Sequence, residues 1–293
     1  MSQLHVRPAR AEDRDPVLAF CTNTWEWGDY IPRLWDSWLH DTTGRLLVAT
    51  FDERPVGIVH VHFLNANESW LEGLRVDVAY RRQGIGRALT EAAMLEAMRA
   101  GGTYVRLMID SRNTSSMQLS ESMHMRRVGS FSIYTAPPLP APKRVVPTQT
   151  QQASTVDLDE IIDYLNVSNM FPLVGGLYYR RYTGYQVTAA LLEEQIGAGN
   201  VYLLRRWQRL DGLAIVAAEA WQQEQVLTIG YIDGMTIESI SLIAYDLRIR
   251  ALALEVDRVQ AYAPDLVLVH DAFGGVEYTS EGAIFHTYER GLF

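Results

Sequence analysis

Apolar positions in this chain alternate between short branched runs and longer stretches at helical spacing. Leu4 to Pro8 predicts a first strand. Val17, Leu18, Phe20 and Cys21 predict the inward face of a helix within 11–24, with Pro16 tolerable in its first turns. Ile31, Leu34, Trp35 and Trp38 fall at the spacing of a second helix. Arg45 to Thr50 and Pro55 to Phe63 predict a hairpin turning at Asp52-Glu53-Arg54, and Leu71 to Val78 predicts a fourth strand. Helical spacing returns through Leu89, Leu95 and Met98 and stops at Gly101-Gly102. Tyr104 to Ile109 predicts a strand, Asn113 to His124 a helix and Arg127 to Tyr134 a closing strand.

Residues 135–143, TAPPLPAPK, predict a proline-rich extended linker. The same order of elements then recurs, a repeat at the scale of a domain. Arg144-Val145-Val146-Pro147 echoes Val6-Arg7-Pro8, and Leu158 to Leu165 and Val187 to Ile196 predict helices. Val201 to Leu204 and Leu213 to Ala220 predict a hairpin around Asp211-Gly212, followed by a strand from Val226 to Ile232. A helix over 237–254, a strand near Val259 to Ala263, a helix to Phe273 and a strand through Tyr288 complete the second half. The expected organisation is a first domain over 1–134, a linker over 135–143 and a second domain over 144–293. Both are expected to be α/β (α+β), each a mixed and mostly antiparallel sheet flanked by helices.

Composition narrows the function. With 293 residues and 48% apolar content the chain can bury two cores. It has no run of about 18 apolar residues, and its charged N-terminus lacks the apolar centre of a signal peptide. Cys21 is the only cysteine, so no internal disulfide forms and a cytoplasmic location is expected. No metal site is expected. His60 and His62 share a strand face without a third ligand and read as ordinary strand residues. The net charge of −9 is uneven, −1 over residues 1–142 and −8 over 143–293. An acidic chain without a basic stripe argues against nucleic acid and anionic membranes as partners.

The one concentrated positive site is the loop Arg81-Arg82-Gln83-Gly84-Ile85-Gly86-Arg87, between a strand and a helix. Helix N-terminal N–H groups, close backbone approach at the glycines and arginine donors together suit a phosphate, most simply a pyrophosphate. The third glycine of the dinucleotide fingerprint is replaced by Leu89, and no GKS or GKT follows the loop. The segment Leu74 to Gly86, LRVDVAYRRQGIG, instead resembles the acetyl-CoA loop of the GCN5-related N-acetyltransferase (GNAT) family, [QR]xxGx[GA]. The N-terminal half is similar to the branch that contains histidine Nα-acetyltransferase, through Asp29-Tyr30-Ile31-Pro32, Trp38-Leu39 and the Glu72 to Val76 strand.

That resemblance implies a tandem GNAT-like chain whose first domain has splayed fourth and fifth strands. It implies acetyl-CoA as cosubstrate, bound by Leu74, Arg75 and Val76, by Arg81 to Arg87, and by Asn113 at the start of the family's next motif. It also implies direct acetyl transfer to a primary amine, with backbone N–H groups around Leu74 to Val76 polarising the thioester carbonyl. Glu72 is the first candidate for base; pairing with Arg75 or Arg106 is the structural alternative. Glu26 and Asp29 are further acidic candidates, and Trp27, Asp29 and Tyr30 are expected to line the acceptor site. Ser120 stands where many members carry a tyrosine acid, and an alcohol is a far weaker acid than a phenol. Between Ile232 and the next helix the second half offers only Asp233-Gly234-Met235-Thr236, so it resembles a domain that has lost its pyrophosphate cradle. Its tyrosines 178, 179, 182 and 185 are expected to shape an acceptor cleft. The implied activity is N-acetylation of a small amine such as an amino acid, by a monomer or homodimer. The alternatives are a protein N-terminal or lysine acetyltransferase, and a non-catalytic acyl-CoA sensor.

Overall fold

The computed structural model describes residues 4–22, 24, 28–142, 150–221 and 223–293. They form two units. The first comprises residues 1–109, 113–126 and 288–293, and the second residues 110–112 and 127–287. Glu26, Trp27 and the Arg144 to Pro147 echo lie outside the described residues.

In chain order the first unit holds β1 (Leu4–Pro8), α1 (Arg14–Cys21), α2 (Ile31–Leu39), β2 (Gly44–Phe51), β3 (Arg54–Phe63), β4 (Glu68–Val76), α3 (Ile85–Arg99), β5 (Tyr104–Asp110) and α4 (Thr114–Ser122). Strands β1 to β4 are neighbours in sequence and pair antiparallel, while β4 and β5, joined through α3, pair parallel. Alternation along the strands divides the core between two faces. On one, Leu47, Ala49, Val59, Val61 and Leu71 meet Ile85, Leu89, Ala93 and Ala97 of α3. On the other, Leu46, Val48 and Ile58 meet Val17 and Cys21 of α1 and Ile31, Trp35 and Trp38 of α2. Cys21 is fully buried there as a small core residue, and burial pushes its thiol up to about 12.

The second unit holds β6 (Arg126–Ala136), β7 (Gln151–Gln152), α5 (Leu158–Val167), β8 (Leu177–Arg180), β9 (Thr183–Gln186), α6 (Ala189–Gly197), β10 (Val201–Arg206), β11 (Arg209–Trp221), β12 (Glu224–Gly234), α7 (Ile237–Ala253), β13 (Arg258–Pro264), α8 (Val267–Gly274) and β14 (Thr279–Gly291). Helices α7 and α8 cover Leu227 and Ile229 of β12 and Val259 and Ala261 of β13. The division differs from the sequence boundary at both ends. Residues 127–134, expected to close the first domain, belong to the second unit, where β6 pairs antiparallel with β13 from Phe131 to Ala136. Tyr288–Phe293 belongs instead to the first unit, where Tyr288 and Leu292 join the α3 core.

Two local readings also change. The β10–β11 hairpin turns at Trp207-Gln208, both at positive φ, rather than at Asp211-Gly212. Gly212 sits inside β11, where a Cβ would lie 2.6 Å from the Asp233 carbonyl oxygen. The tyrosine segment is a hairpin, β8–β9, not a cleft loop. Tyr178 and Tyr179 are core residues at 2% and 0% exposure, and Tyr182 alone of the four lines a cleft of about 340 Å³, with Arg258, Gln260 and Phe285.

Candidate active site

The site begins with a fault in β4. Ile58 of β3 faces Arg75 and His60 faces Glu72, so Val59 opposes both Gly73 and Leu74. This β-bulge has its glycine in the left-handed region, at φ +68°. No other residue fits, because a Cβ on Gly73 would lie 2.6 Å from the Trp38 ring. A bulge bends its strand, and the bend falls where β4 leaves β5. The parallel pairing covers Glu68–Leu71 against Tyr104–Leu107 and goes no further. Leu74, Arg75 and Val76 thus have β3 on one side and, among the described residues, no strand on the other, the expected splay.

Past the splay the chain makes a short 3₁₀ turn over Val78–Tyr80, with the Asp77 side chain accepting from the Ala79 N–H. It then enters α3 through Gly84 at φ +80°. The first hydrogen bond of α3 runs from the Ala88 N–H to the Gly84 carbonyl, 3.0 Å, so the N–H groups of Ile85, Gly86 and Arg87 precede the helical ladder. A Cβ at Gly84 would meet nothing within 4 Å, so the space before the loop is open; at Gly86 it would come within 3.3 Å of Leu119 on α4. Arg81, Arg82, Gln83 and Arg87 are exposed around this opening, and Ile85 anchors the turn in the core. Arg87 also donates to the Ser122 hydroxyl at 2.9 Å, which ties α3 to α4. Open space, leading N–H groups and exposed guanidinium groups fit the pyrophosphate of a CoA thioester. Asn113 caps α4, its side-chain oxygen accepting from the Ser116 N–H at 3.1 Å. Ser120 lies buried in the same helix at 4% exposure.

The acidic residues separate clearly. Asp29 takes a two-pronged ion pair from Arg75, at 2.7 and 3.1 Å, and its side chain is fully buried. Burial alone would raise the Asp29 carboxyl, but the Arg75 guanidinium outweighs it and holds the group below the usual carboxylate range. Both side chains therefore brace the site: Arg75 also lies 5.0 Å from the Tyr30 ring, and Asp29 accepts from the Ile31 N–H to start α2. Arg106 is taken by Glu68 and Glu289.

Glu72 meets His60, which the sequence reading passed over. Its Oε1 lies 2.9 Å from His60 Nδ1, and its side chain is 27% exposed. The imidazole stacks on Trp38 at 4.7 Å and 8°. Tyr30 meets the edge of Trp38 at 6.2 Å, and burial pushes its phenol up. On the far side His60 Nε2 lies 3.1 Å from Asp41 Oδ2, close but off the hydrogen-bonding axis. The register His60↔Glu72 on adjacent antiparallel strands was the signal that could have found this pair.

The equivalent place in the second unit is filled by the chain itself. Strand β12 also carries a bulge, with Gly230 as its extra residue, but a Cβ there would lie 2.1 Å from the Tyr179 carbonyl oxygen. The N-terminus of α7 is capped by Thr236, which accepts from the Ser239 N–H at 3.1 Å. Ser239 in turn donates to Asp211 at 2.5 Å. A carboxylate stands where an anion would bind, and no arginine-flanked GxG loop precedes the helix.

Among the described residues no group of three or more His, Cys, Asp or Glu could hold a metal ion, and no helix is long and apolar enough to cross a membrane. Residues 15–125 match the model of the acetyltransferase (GNAT) family. No curated protein is significantly similar in sequence. Among solved structures, a GCN5-related N-acetyltransferase from Sphaerobacter thermophilus is similar at a TM-score of 0.58 and 11% identity, covering 99% of this chain and 96% of that one. An acetyltransferase candidate from Thermoplasma acidophilum gives 0.57 and 16%, covering 98% and 99%. A tandem GNAT protein of the clavulanic acid biosynthesis pathway gives 0.52 and 13%, covering 99% of each chain. At such identities the likeness is one of fold, and it runs the length of the chain. Residues 15–125, within the first unit, thus match the acetyltransferase (GNAT) family, and over its whole length the chain has the fold of these acetyltransferase structures, a tandem GNAT protein among them.

Proposed function

We propose that the first unit transfers the acetyl group of acetyl-CoA to the primary amine of a small molecule. The observation that carries this reading is the succession of Glu72, the Gly73 bulge, the unpaired edge of Leu74–Val76 and the open Gly84 loop along one continuous stretch. Acetyl-CoA supplies an activated acyl carbon. The N–H groups of Ile85 to Arg87 and the exposed Arg81, Arg82 and Arg87 would hold its pyrophosphate. The free edge of β4 would meet its pantetheine amides and carbonyl oxygen.

A primary amine arrives protonated, and its lone pair must be freed before it can attack. Glu72 suits that step, partly exposed and with Oε2 without a partner among the described residues. Its charge, beside Tyr30 and Trp38, suits a small organic cation. Asp29 and Arg75 brace this wall rather than react. Glu72→Gln in the full chain tests the assignment: acetyl-CoA should bind as before, while amine-dependent turnover falls by about 10²–10⁴. Turnover within a few-fold of the parent would remove Glu72 from the mechanism.

A further inference from the structure

His60 is expensive for the sheet to keep. It is 1% exposed on a face otherwise packed with Val48, Ile58, Ile31 and Trp35, where a branched apolar residue would serve packing better. Three separate elements are arranged around it. Trp38 of α2 covers its ring, Glu72 of β4 meets Nδ1, and Asp41, after α2, meets Nε2. Position 44 must be glycine for this approach: a Cβ there would lie 2.3 Å from Asp41 Oδ2 and 2.7 Å from His60 Nε2. The two carboxylates that the imidazole links are partly exposed, Asp41 at 18% and Glu72 at 27%. The other titratable ring in reach is His62 on the same strand, its centroid 6.3 Å away.

We propose that His60 is a positioning residue for Glu72, held in place by the Trp38 stack. The inference rests on the reading of Glu72 as base. The Nδ1–H donates to Oε1, which fixes the carboxylate plane and leaves Oε2 to face the acceptor amine. In the step itself one N–H bond of the ammonium breaks and one O–H bond forms on Oε2. The electron pair stays on the nitrogen, and His60 keeps its Nδ1 proton throughout. The Trp38 stack and the tight packing at Gly44 hold the ring in the orientation that makes this donation possible.

The test uses full-length His60→Leu, which removes the donor, and His60→Asn, whose amide nitrogen can stand where Nδ1 stood. The Glu72 carboxyl is followed by ¹³C resonance in glutamate-labelled protein, assigned with Glu72→Gln. Acetyl-CoA binding is measured by calorimetry. Values of kcat and KM are measured separately with whichever of L-histidine, spermidine and kanamycin the parent turns over best. Expected for His60→Leu are unchanged acetyl-CoA binding, a displaced Glu72 carboxyl resonance and a fall of about tenfold in kcat/KM, the loss of one hydrogen bond to a charged group. His60→Asn should restore the resonance and kcat/KM to near the parent. An unmoved Glu72 carboxyl resonance in His60→Leu, or an asparagine variant as impaired as the leucine one, overturns the proposal. Should the leucine variant not fold, His60→Gln replaces it, since its amide reaches the Asp41 side instead of Nδ1. Parental turnover in Glu72→Gln would overturn the base assignment itself, a result distinct from either failure of His60.

Discussion

Replacing Gly73 by alanine tests why β4 parts from β5. At φ +68° an L-residue costs about 1–2 kcal/mol relative to the right-handed regions. The new methyl would also lie 2.6 Å from Cη2 and Cζ3 of Trp38. That ring has little room to yield: it is 7% exposed, stacked on His60 and met at its edge by Tyr30. Overpacking such a site costs about 1–3 kcal/mol. The two effects together amount to about 2–5 kcal/mol, a large part of the stability of an ordinary domain. Gly84→Ala is the matched control, because its φ is +80° but its Cβ would meet nothing within 4 Å. It should lose only the backbone cost, about 1–2 kcal/mol. Urea unfolding followed by tryptophan fluorescence suits the comparison, since Trp35, Trp38 and Trp70 lie in the first unit. Gly73→Ala should unfold at clearly lower urea than Gly84→Ala, whereas Gly84→Ala should lose at least about tenfold in acetyl-CoA affinity, roughly 1.4 kcal/mol. Equal unfolding midpoints would refute the steric origin assigned here to the bulge.

Breaking the buried Arg75–Asp29 pair by Arg75→Leu should cost about 3–5 kcal/mol in the same unfolding assay, because it strands a fully buried carboxylate. Arg75 holds Asp29, and Arg7 holds Asp13, below the ordinary carboxylate range against the opposing effect of burial. Groups with lowered folded pKa values stabilise fully above the unfolded value, roughly 4, and lose that contribution as pH falls through the folded values. Asp13→Asn with Asp29→Asn should therefore flatten the loss of stability below about pH 4, read from unfolding midpoints against pH. Ser120→Ala should leave kcat within about threefold of the parent, well short of the 10²–10⁴ of a positioned acid; a hundredfold loss with CoA affinity intact would restore Ser120 to the chemistry. Calorimetry should find one acetyl-CoA site per chain, since the α7 N-terminus already carries Asp211; two equivalent sites would contradict that account.

How much of this was legible in the sequence depended on the range of the interaction. The loop from Arg81 to Arg87 could be read directly, because glycines and arginines at a strand–helix junction have a local physical meaning. So could the helix faces, down to the burial of Cys21 and Trp35. What escaped depends on register. Nothing local says that Val59 faces two residues of β4, and it is this offset, with Trp38 arriving from α2, that makes Gly73 indispensable. His60 was set aside for want of a third metal ligand, when its partner was the residue directly across the ladder. Asp29 and Arg75 lie 46 residues apart, and only the fold reveals that each occupies the other. The partner of β6 was hidden for the same reason: Arg127 to Tyr134 has a sound strand pattern, but a pattern does not say that its partner is β13.

The central claim is acetyl transfer to an amine at the Glu72–Gly86 stretch. The most direct test measures thiol release from acetyl-CoA by the full chain across a panel of amino acids, polyamines and aminoglycosides, beside a Gly84→Val, Gly86→Val variant. The account predicts saturable, amine-dependent thiol release by the parent and its loss, together with acetyl-CoA binding, in the double variant. Acetyl-CoA binding by the parent without amine-dependent thiol release across the whole panel, or full activity in the double variant, would contradict it.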